Sequence, residues 1–290
     1  MSVSCTVITN PLSGGFSPQR LSAALEFLAG HGFVPDLREA DNPDRAAEIA
    51  LAACTGRHPP LIIVGAGDGT INAVVNGLPP GVATLGVLPF GTSNVLCREL
   101  GITSTKEALE KVAGGIRRDL CVGCMEKNDE KRTFLLMAGV GIDGLVVKKV
   151  VPREKRLLKK GAYLLSSMRV FCSWEQKRIE VISGLRTVDC HSVIVCNGSK
   201  YGGNLRIAPD ASIFEPDLRV FCMEDPSRLG YLKLLLPLLA GKGLKNAGIQ
   251  SFATKELEIR GEKPLQADGD YYFDTPLRIR AIPNFLKIIV

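Results

Sequence analysis

The sequence predicts an α/β domain followed by a β-rich domain. Up to about residue 120, strand-like apolar runs alternate with helical segments, which is typical of a parallel sheet with helices on its faces. Beyond that point the apolar or alternating runs become short and are separated by Gly, Pro and Asp, which favours strands. We therefore predict a first domain over 1–122 and a second over 123–290.

The first domain carries clear start and stop signals. Strands are predicted at 6–9, 61–64 and 84–89. Ser17 is a candidate N-cap with Pro18 at the first helical position, and this helix stops at Gly30 or Gly32. Ser104 and Glu107 form a capping-box pattern. Further helices are predicted at 44–54, from about Thr70, at 95–100 and at 104–115.

The second domain is read from short runs with period-two or continuous apolar character. Two helices, at about 156–171 and 228–240, are predicted to interrupt the strands. The strand-like runs occupy residues 132–143, 190–198, 217–224, 256–261, 276–282 and 285–290.

The net charge of +6 is unevenly distributed. The segment 148–160, "KKVVPREKRLLKK", holds seven basic residues against the single Glu154. It is either a solvated helix face or a contact with an anionic surface such as a membrane, where each Lys or Arg gains about 1 kcal/mol. No aromatic side chains interleave with these charges to stack bases, so we predict no nucleic-acid partner.

Composition favours a protein of the cytoplasm. The nine cysteines are an odd number without regular spacing, which fits a reducing compartment. The single C-x-x-C, Cys121 and Cys124, lacks further zinc ligands nearby and is interpreted as two ordinary thiols. The first ten residues resemble a strand more than a signal peptide, and no segment reaches the roughly 20 apolar residues of a membrane span.

The stretch "LIIVGAGDGTINAVVNGL" (61–78) places a glycine-rich loop between a strand and a helix. Gly65, Gly67 and Gly69 allow close backbone approach, and a helix N-terminus favours anions. Asp68 would repel phosphates unless a cation such as Mg²⁺ lies between them, so the loop suits a Mg–nucleotide complex. The alternatives are a plain tight turn and an Asx turn at Asp68.

Two further loops have the same layout. "LPFGTSN" (88–94) offers Gly91, Thr92, Ser93 and Asn94 at a helix start, and "TNPLSGG" (9–15) follows the first strand with Asn10, Ser13 and Gly14. The carboxyl ends of neighbouring parallel strands lie along one edge of a sheet, where ligands collect. We therefore expect the three loops to line one crevice.

The ordered blocks of this sequence resemble the diacylglycerol-kinase-type lipid kinases, the group that includes sphingosine and ceramide kinases, and most closely the compact bacterial members. The resemblance runs nearly end to end. "GAGDGTINAVVNGL" is similar to the block G-G-D-G-T-x-N-E-V-V-N-G-L of that family. The other matching blocks, in order, are "NPLSGG", "LPFGTSNVLCREL", "AGVGIDGLVV", "KKGAYLLSSMRVF", "NGSKYGGNLRIAPDA" and "QADGDYYFDTPLRIRAIP".

The resemblance implies an ATP- and Mg²⁺-dependent kinase that transfers the γ-phosphate to a hydroxyl of a lipid such as diacylglycerol. The fold would be an α/β domain like that of phosphofructokinases and NAD kinases, followed by a β-sandwich, with the active site between them. It also implies a protein of the cytoplasm in peripheral contact with the inner membrane face, for which 148–160 is the candidate, and it makes a homodimer plausible.

The resemblance also assigns site residues. The family's D-G-E motif, whose Glu acts as the base on the lipid hydroxyl, corresponds to Asp268, Gly269 and Asp270, and Asp68 belongs to the same catalytic cleft. Together with the glycine loops, this gives a predicted nucleotide site of Asn10, Pro11, Ser13, Gly14, Gly65, Ala66, Gly67, Asp68, Gly69, Thr70, Asn72, Gly91, Thr92 and Asn94.

Three positions depart from the family pattern. Asp270 replaces the Glu and shortens the carboxylate's reach by one methylene. Glu215 and Asp217, around Pro216, stand where the bacterial branch has an acidic turn that supports a structural Mg²⁺. Ala40 replaces a nucleotide-binding Thr. A degenerate homologue that binds nucleotide or anionic lipid without efficient catalysis is therefore an alternative, and a soluble NAD-kinase-like enzyme is a weaker one.

Overall fold

The computed structural model describes residues 2–56, 59–150, 166–167, 169–170, 176–244 and 249–290. The chain falls into two compact units. The first comprises Met1–Val122, Gly202–Asn204 and Ile282–Val290, and the second Gly123–Tyr201 and Leu205–Ala281. The first unit is α/β and the second is built mainly from antiparallel strands, so the predicted fold class is confirmed.

The first unit is a parallel sheet with helical connections. β1 lies between β2 and β3, and β4 lies beyond β3, with all neighbours parallel. β3 and β4 are buried along their whole length, as expected for central strands covered on both faces. The elements in chain order are β1 (Val3–Thr9), α1 (Pro18–Gly30), β2 (Phe33–Glu39), α2 (Pro43–Ala53), β3 (Leu61–Ala66), α3 (Asp68–Gly77), β4 (Thr84–Pro89), α4 (Val95–Glu99) and α5 (Thr105–Gly114).

The predicted caps of this unit are largely confirmed. Ser17 Oγ accepts the N–H of Arg20 at 3.1 Å, and Ser104 Oγ accepts that of Glu107 at 3.2 Å. The Glu107 carboxylate accepts the N–H of Thr103 at 2.8 Å. In a capping box it would accept the N–H of the N-cap itself, Ser104, which is the next residue.

The first unit differs in places from the sequence prediction. The strand predicted at 6–9 begins at Val3. The helix expected from about Thr70 begins at Asp68. β2 was not predicted at all, because its sequence "FVPDLRE" shows no apolar alternation. This strand lies at the sheet edge and is largely exposed, so little burial selects its side chains.

The second unit contains short strands and two described helices of more than one turn. They are β5 (Arg117–Lys127), which begins in the first unit, β6 (Glu130–Phe134), β7 (Met137–Val140), α6 (Ile142–Lys148), β8 (Ile179–Ser183), β9 (Arg186–Cys190), β10 (Ser192–Cys196), β11 (Lys200–Tyr201), β12 (Leu205–Arg206), β13 (Leu218–Met223), α7 (Arg228–Leu239), β14 (Gln250–Thr254), β15 (Glu256–Arg260), β16 (Pro264–Ala267), β17 (Asp270–Asp274) and β18 (Leu277–Ile289).

The strands of the second unit form an antiparallel sandwich. One sheet has the order β14-β13-β10-β7-β16-β17. In the other, β15 pairs with β8 and with the first part of β18, and β8 pairs with β9. Alternate side chains of both sheets share one apolar core. Its fully buried members include Met125, Phe134, Val140, Val195, Val220, Ile259 and Leu265.

The last strand belongs to both units. Lys287 and Ile288 pair in parallel with Thr84 and Leu85 of β4, so the chain end extends the sheet of the first unit. This grouping differs from the predicted second domain of 123–290, because a run such as "FLKIIV" shows that it is a strand but not which sheet it joins.

The predicted helix at 228–240 corresponds to α7. Most of the helix predicted at 156–171 and most of the basic segment 148–160 lie outside the described residues. None of the helices in the described part of the chain is long and apolar enough to cross a membrane.

Candidate functional site

Three polar loops of the first unit meet at one edge of the parallel sheet. They follow β1, β3 and β4, and therefore lie at the carboxyl ends of neighbouring strands. The connection from β1 leads to β2 on one side, whereas β3 lies on the other, which makes this edge a topological switch point where ligands bind in open α/β sheets. The Gly15 N–H donates to the Phe90 carbonyl at 2.9 Å, and the Gly67 N–H donates to Ser13 Oγ at 3.3 Å.

The loops after β3 and β4 approach each other through glycine. A Cβ at Gly91 would lie 2.4 Å from Gly67 Cα and 2.7 Å from Asn94 Oδ1. Asn94 has a left-handed backbone, with φ of 48°. Its side chain accepts the Gly91 N–H at 2.7 Å and donates to the Gly91 carbonyl at 3.0 Å, so Asn94 fixes the shape of this loop.

The loop after β1 is tied to the N-terminus of α3. Asn10 Nδ2 donates to Thr70 Oγ1 at 3.1 Å, while Asn10 Oδ1 accepts the Leu12 N–H at 2.8 Å. The N-cap of α3 is Gly67, and no side chain caps this helix. The first-turn N–H groups of a helix have no acceptor within the helix and carry its positive dipole end. This cradle therefore suits a phosphate group.

Asp68 bridges the second and third loops. Its Oδ1 accepts the N–H of Leu96 in the first turn of α4, at 3.0 Å. This contact joins residues far apart in sequence, so it differs from the local Asx turn considered above. The neighbouring Cys97 thiol has a pKa raised to about 12 by burial, with the Asp68 carboxylate adding to the shift. Asp68 thus places a negative charge beside the cradle.

Some predicted nucleotide-binding residues are buried beneath the loops, and others are exposed on them. Ala66 is fully buried in β3, and Gly65 packs against the Phe90 ring, where a Cβ would come within 3.1 Å. Asn72 is also buried, and its Oδ1 accepts from Asn76 at 2.6 Å. Pro11, Gly14, Gly69 and Thr92 are partly or fully exposed on the loops. Direct contact of any of these residues with nucleotide stays a prediction.

Ala40 also lies at this edge of the sheet. It is fully buried directly after β2, and its N–H donates to the Thr9 carbonyl at 2.9 Å. An alanine at this position contributes no side-chain polar group.

Arg20 was not identified from the sequence, although it joins the loops after β1 and β4. Its guanidinium donates to the carbonyl oxygens of Gly15 and Pro89 and, at 2.7 Å, to Thr105 Oγ1. It also lies over the Phe90 ring, 4.8 Å from the centroid. One feature of the sequence could have identified Arg20. It falls in the first turn of α1, where the helix dipole disfavours a cation, so a cation there is expected to have acceptors elsewhere.

In the second unit, Asp268 and Gly269 form the turn between β16 and β17. Their φ angles are 49° and 94°, as a type I′ turn requires, and Ala267 pairs with Asp270. The interpretation of "ADGD" as a hairpin is therefore confirmed. The Asp268 carboxylate accepts the N–H groups of Leu135, Leu136 and Met137, at 2.6, 3.0 and 3.0 Å.

Asp270 is the first residue of β17 and is exposed. The neighbouring Tyr272 hydroxyl has a pKa raised to about 12 by burial, and the carboxylates of Asp270 and Asp268 add to the shift. The two carboxylates of the hairpin thus differ: Asp268 is engaged by backbone N–H groups, whereas Asp270 stands at the surface.

Gln266, Asp143 and Tyr201 were also missed by sequence reasoning. Gln266 Oε1 accepts the Gly269 N–H at 2.9 Å, and its Nε2 donates to the Asp143 carboxylate. Tyr201 donates to Asp143 Oδ1 at 2.8 Å, and burial raises the pKa of Asp143. Gln266 could not be identified from the sequence, because the alternation of a strand shows which face a residue lies on but not what its side chain bonds to. Asp143 in "GVGIDG" resembles an ordinary acidic residue at the start of a helix.

Glu215 and Asp217 lie on either side of Pro216, just before β13. Glu215 is exposed in the turn before β13, and Asp217 is partly buried. Within the part of the chain that the structure describes, no group of three His, Cys, Asp or Glu side chains could hold a metal ion. A role of Glu215 and Asp217 in holding a structural Mg²⁺ stays a prediction.

Comparison with known proteins gives two family matches. Residues 4–125 match the family model described as diacylglycerol kinase catalytic domain. Residues 137–290 match the one described as YegS C-terminal NAD kinase beta sandwich-like domain. Together these matches cover most of both units.

Similar individual proteins come from bacteria. The chain is 26% identical over 274 residues to a diacylglycerol kinase of Bacillus subtilis, covering 91% of this chain and 89% of that protein. It is 26% identical over 302 residues to a diacylglycerol kinase of Mycobacterium tuberculosis, covering 98% and 94%. A crystal structure of a diacylglycerol kinase from Bacillus anthracis has a TM-score of 0.81 at 22% identity, covering 99% and 96% of the two chains, which supports the fold.

Proposed function

The chain belongs to the family of diacylglycerol-kinase-type lipid kinases, and we propose that it transfers the γ-phosphate of ATP, with Mg²⁺, to a hydroxyl of a lipid alcohol such as diacylglycerol. Phosphoryl transfer requires in-line placement of donor and acceptor, neutralisation of phosphate charge and an acceptor for the alcohol proton. Each requirement has candidate residues in this chain.

The observation that carries the proposal is the cradle formed by the loops after β1, β3 and β4. Its glycines allow close backbone approach, and the uncapped N-terminus of α3 faces the same loops. Asn10, Ser13 and Thr70 add polar side chains that are already tied to one another or to backbone groups. We assign the phosphates of ATP to this cradle.

The chemistry of the donor set fits Mg²⁺ on the nucleotide. Mg²⁺ is typically held by one or two carboxylates together with phosphate oxygens and water, and Asp68 supplies one carboxylate beside the cradle. When bound, the ion neutralises charge on the phosphates. Asp68 would hold it, while its bond to the Leu96 N–H keeps the carboxylate fixed relative to α4.

We assign proton acceptance to Asp270. Its exposed carboxylate at the start of β17 is accessible to a lipid hydroxyl, whereas the three backbone bonds of Asp268 suit a role in holding the turn. An aspartate reaches one methylene less far than the glutamate of the family. The hydroxyl must therefore come closer to the hairpin, since proton transfer needs heavy atoms about 2.6–3.2 Å apart.

A second candidate function is nucleotide or anionic-lipid binding without efficient transfer. The replacement of the family's glutamate by Asp270 favours it, because misplacement of a reacting group by about 1 Å can reduce a rate about 100-fold. The two candidates differ in a single measurable property, the transfer of label from ATP to an acceptor.

The test uses the purified full chain with Mg²⁺ and γ-labelled ATP. The acceptors are diacylglycerol, sphingosine, ceramide, phosphatidylglycerol and NAD, each assayed separately. Asp68→Asn and Asp270→Asn are the test variants. Asp36→Asn is the matched control, because Asp36 lies on the exposed edge strand β2 in a surface pair with Arg38.

We expect label in one lipid, and its loss in Asp68→Asn and Asp270→Asn but not in Asp36→Asn. Nucleotide binding without transfer to any acceptor would contradict the kinase proposal and favour the binding protein. Labelling of NAD alone would favour the NAD-kinase-like alternative.

Peripheral membrane contact through 148–160 is part of the same proposal, because a lipid acceptor resides in a bilayer. Sedimentation with phosphatidylglycerol vesicles should decrease with added salt and with removal of the charges at Lys155, Arg156, Lys159 and Lys160, all outside the described residues. Binding unchanged by both would refute the contact.

A homodimer stays a prediction, and sedimentation velocity of the full chain tests it.

A further inference from the structure

Three polar side chains form a hydrogen-bonded series that ends at the backbone of the Asp268–Gly269 turn. They are Tyr201, Asp143 and Gln266. Gln266 is fully buried, and its Oε1 accepts the Gly269 N–H at 2.9 Å. A backbone N–H can only donate, so the oxygen of the amide must face Gly269 and the nitrogen must face Asp143. Asp143 therefore accepts on Oδ2 from Gln266 and on Oδ1 from Tyr201, at 2.8 Å for the latter.

These side chains restrain both residues of the turn. Asp268 is a non-glycine residue in the left-handed region, and Gly269 follows it with a positive φ. Asp268 is restrained through its carboxylate, and Gly269 through Gln266. Asp270 comes next in the chain, so the orientation of its carboxylate depends on both restraints. Because Gln266 is buried, water cannot replace its amide.

We propose that Gln266 is a positioning residue for the Asp270 carboxylate and that Asp143 and Tyr201 fix the orientation of its amide. This inference rests on the proposed function, in which Asp270 accepts the proton of the lipid hydroxyl. Gln266 acts only through the Gly269 backbone, so its loss lowers kcat. The KM for ATP stays unchanged, because the phosphate cradle belongs to the first unit.

The variant Gln266→Glu tests the direction of the hydrogen bonds in the series. Its new carboxylate can still accept the Gly269 N–H, but its second oxygen faces Asp143. The groups that act on the Asp143 carboxyl are Tyr201 from β11 and Gln266 from β16, and burial already favours its neutral form. Two facing carboxylates share a proton at low pH and repel each other once it is lost. The variant should therefore lose activity as the pH rises.

The double variant Asp143→Asn/Gln266→Glu restores the bonds among positions 143, 201, 266 and the Gly269 N–H with the donors reversed. The contact of the Gln266 amide with Met137 Sδ, at 2.9 Å, is lost in this variant as it is in Gln266→Glu, so the two variants differ only in the pair of facing carboxylates. The new amide at position 143 donates to the carboxylate at 266, which accepts the Gly269 N–H, while the amide oxygen at 143 accepts from Tyr201. Asp143→Asn alone is the matched control. Its oxygen still accepts from Gln266, and its amide donates to the Tyr201 oxygen.

The experiment measures kcat and the KM for ATP of the full chain, with diacylglycerol in phosphatidylglycerol vesicles, at a series of pH values from about pH 6 to about pH 8. Deuterium exchange of the peptide covering 264–272 is measured on the same samples. At about pH 8 we expect Gln266→Glu to lose about tenfold or more in kcat and to exchange faster in this peptide, with recovery toward low pH. The double variant and Asp143→Asn should match the wild type within about threefold.

Two results would overturn the inference: wild-type kcat and exchange in Gln266→Glu at high pH, or a double variant as impaired as Gln266→Glu. Failure of the proposed function has a different signature. The wild type then labels no lipid, or Asp270→Asn is as active as the wild type. The exchange measurement needs no active acceptor, so it decides in either case whether Gln266 holds the turn.

Discussion

At the scale of single residues, identical side chains have different surroundings. Asp68 accepts a backbone N–H at the start of α4, and Asp268 accepts three such groups from the segment before and at the start of β7. Asp143 is bonded to Tyr201 and Gln266, and burial raises its pKa. Asp270 is exposed. The chemistry open to each carboxylate follows from these partners and not from the residue type.

Asp268→Asn should destabilise the fold. The substitution replaces one carboxylate oxygen by an NH₂ group that faces a backbone N–H, so one of the three donors loses its acceptor. We expect the free energy of unfolding to fall by about 2 kcal/mol, the usual range for a hydrogen bond to a charged group. Urea denaturation measures it. Asp270→Asn is the matched control and should change stability by less than about 0.5 kcal/mol; equal losses in both variants would contradict the distinction.

Asp143→Asn should be stabilising at high pH. Burial raises the pKa of Asp143 in the folded state above its unfolded value, so the wild type gains stability below the unfolded pKa and loses it as the pH rises through the folded pKa. The variant does not titrate. Its melting temperature should exceed that of the wild type near pH 8, and the difference should shrink toward about pH 4, near the ordinary pKa of Asp. A variant less stable than the wild type near pH 8 would contradict this.

At the scale of elements, the cradle depends on how closely three loops approach. Gly91 lies against the backbone of Gly67, Gly15 bonds to the Phe90 carbonyl, and Arg20 joins the loops after β1 and β4. The strands and helices set the loop ends, while the glycines and Arg20 set the distances between the loops.

Gly91→Ala should open the cradle. Its Cβ would lie 2.4 Å from Gly67 Cα, so the loops after β3 and β4 must separate. We expect the Kd for Mg–ATP, measured by titration calorimetry, to rise about tenfold or more, which corresponds to about 1.4 kcal/mol. Gly114→Ala in α5 is the matched control, because its Cβ would meet no atom within 4 Å. Unchanged affinity in Gly91→Ala would exclude this cradle as the nucleotide site.

At the scale of the whole molecule, the chain begins and ends in the same unit. Residues 282–290 return to the first unit after the second is complete, and they place Phe285, Leu286, Ile288 and Ile289 in buried positions. The sheet that carries the three loops of the cradle thus also pairs with the last strand. Folding of the first unit therefore requires contacts between β4 and the last strand, which are far apart in the sequence and entropically costly to bring together.

Ile288→Ala should show this dependence. Ile288 is fully buried beside β4, so its truncation should lower the free energy of unfolding, measured by urea denaturation, by about 2–5 kcal/mol. Mg–ATP binding should weaken in proportion to the fraction of molecules in which the first unit is unfolded. Lys287→Ala is the matched control. Lys287 is 59% exposed in a surface pair with Asp119, and its loss should cost less than about 0.5 kcal/mol. Equal effects of the two substitutions would contradict the placement of the last strand.

The sequence by itself determined the local features of this protein. Helix caps at Ser17 and Ser104, the order of strand, loop and helix around Asp68 and the D-G turn at Asp268 were predicted correctly. Each depends on the backbone preferences of a few adjacent residues, and the alternation of strands and helices depends on periods of two and 3.6 residues. The family and the order of its blocks were also readable, because they too are properties of linear order.

Only the tertiary structure decided which distant groups meet. Arg20 meets Thr105, Asp268 meets Leu135, and the partners of Gln266 include Asp143, each pair separated by many residues. The sheet joined by the last strand was decided in the same way. A hydrogen bond or a strand pair between remote segments leaves no periodic trace in either segment. Its existence depends on the packing of all the elements between them, which no short stretch of sequence encodes.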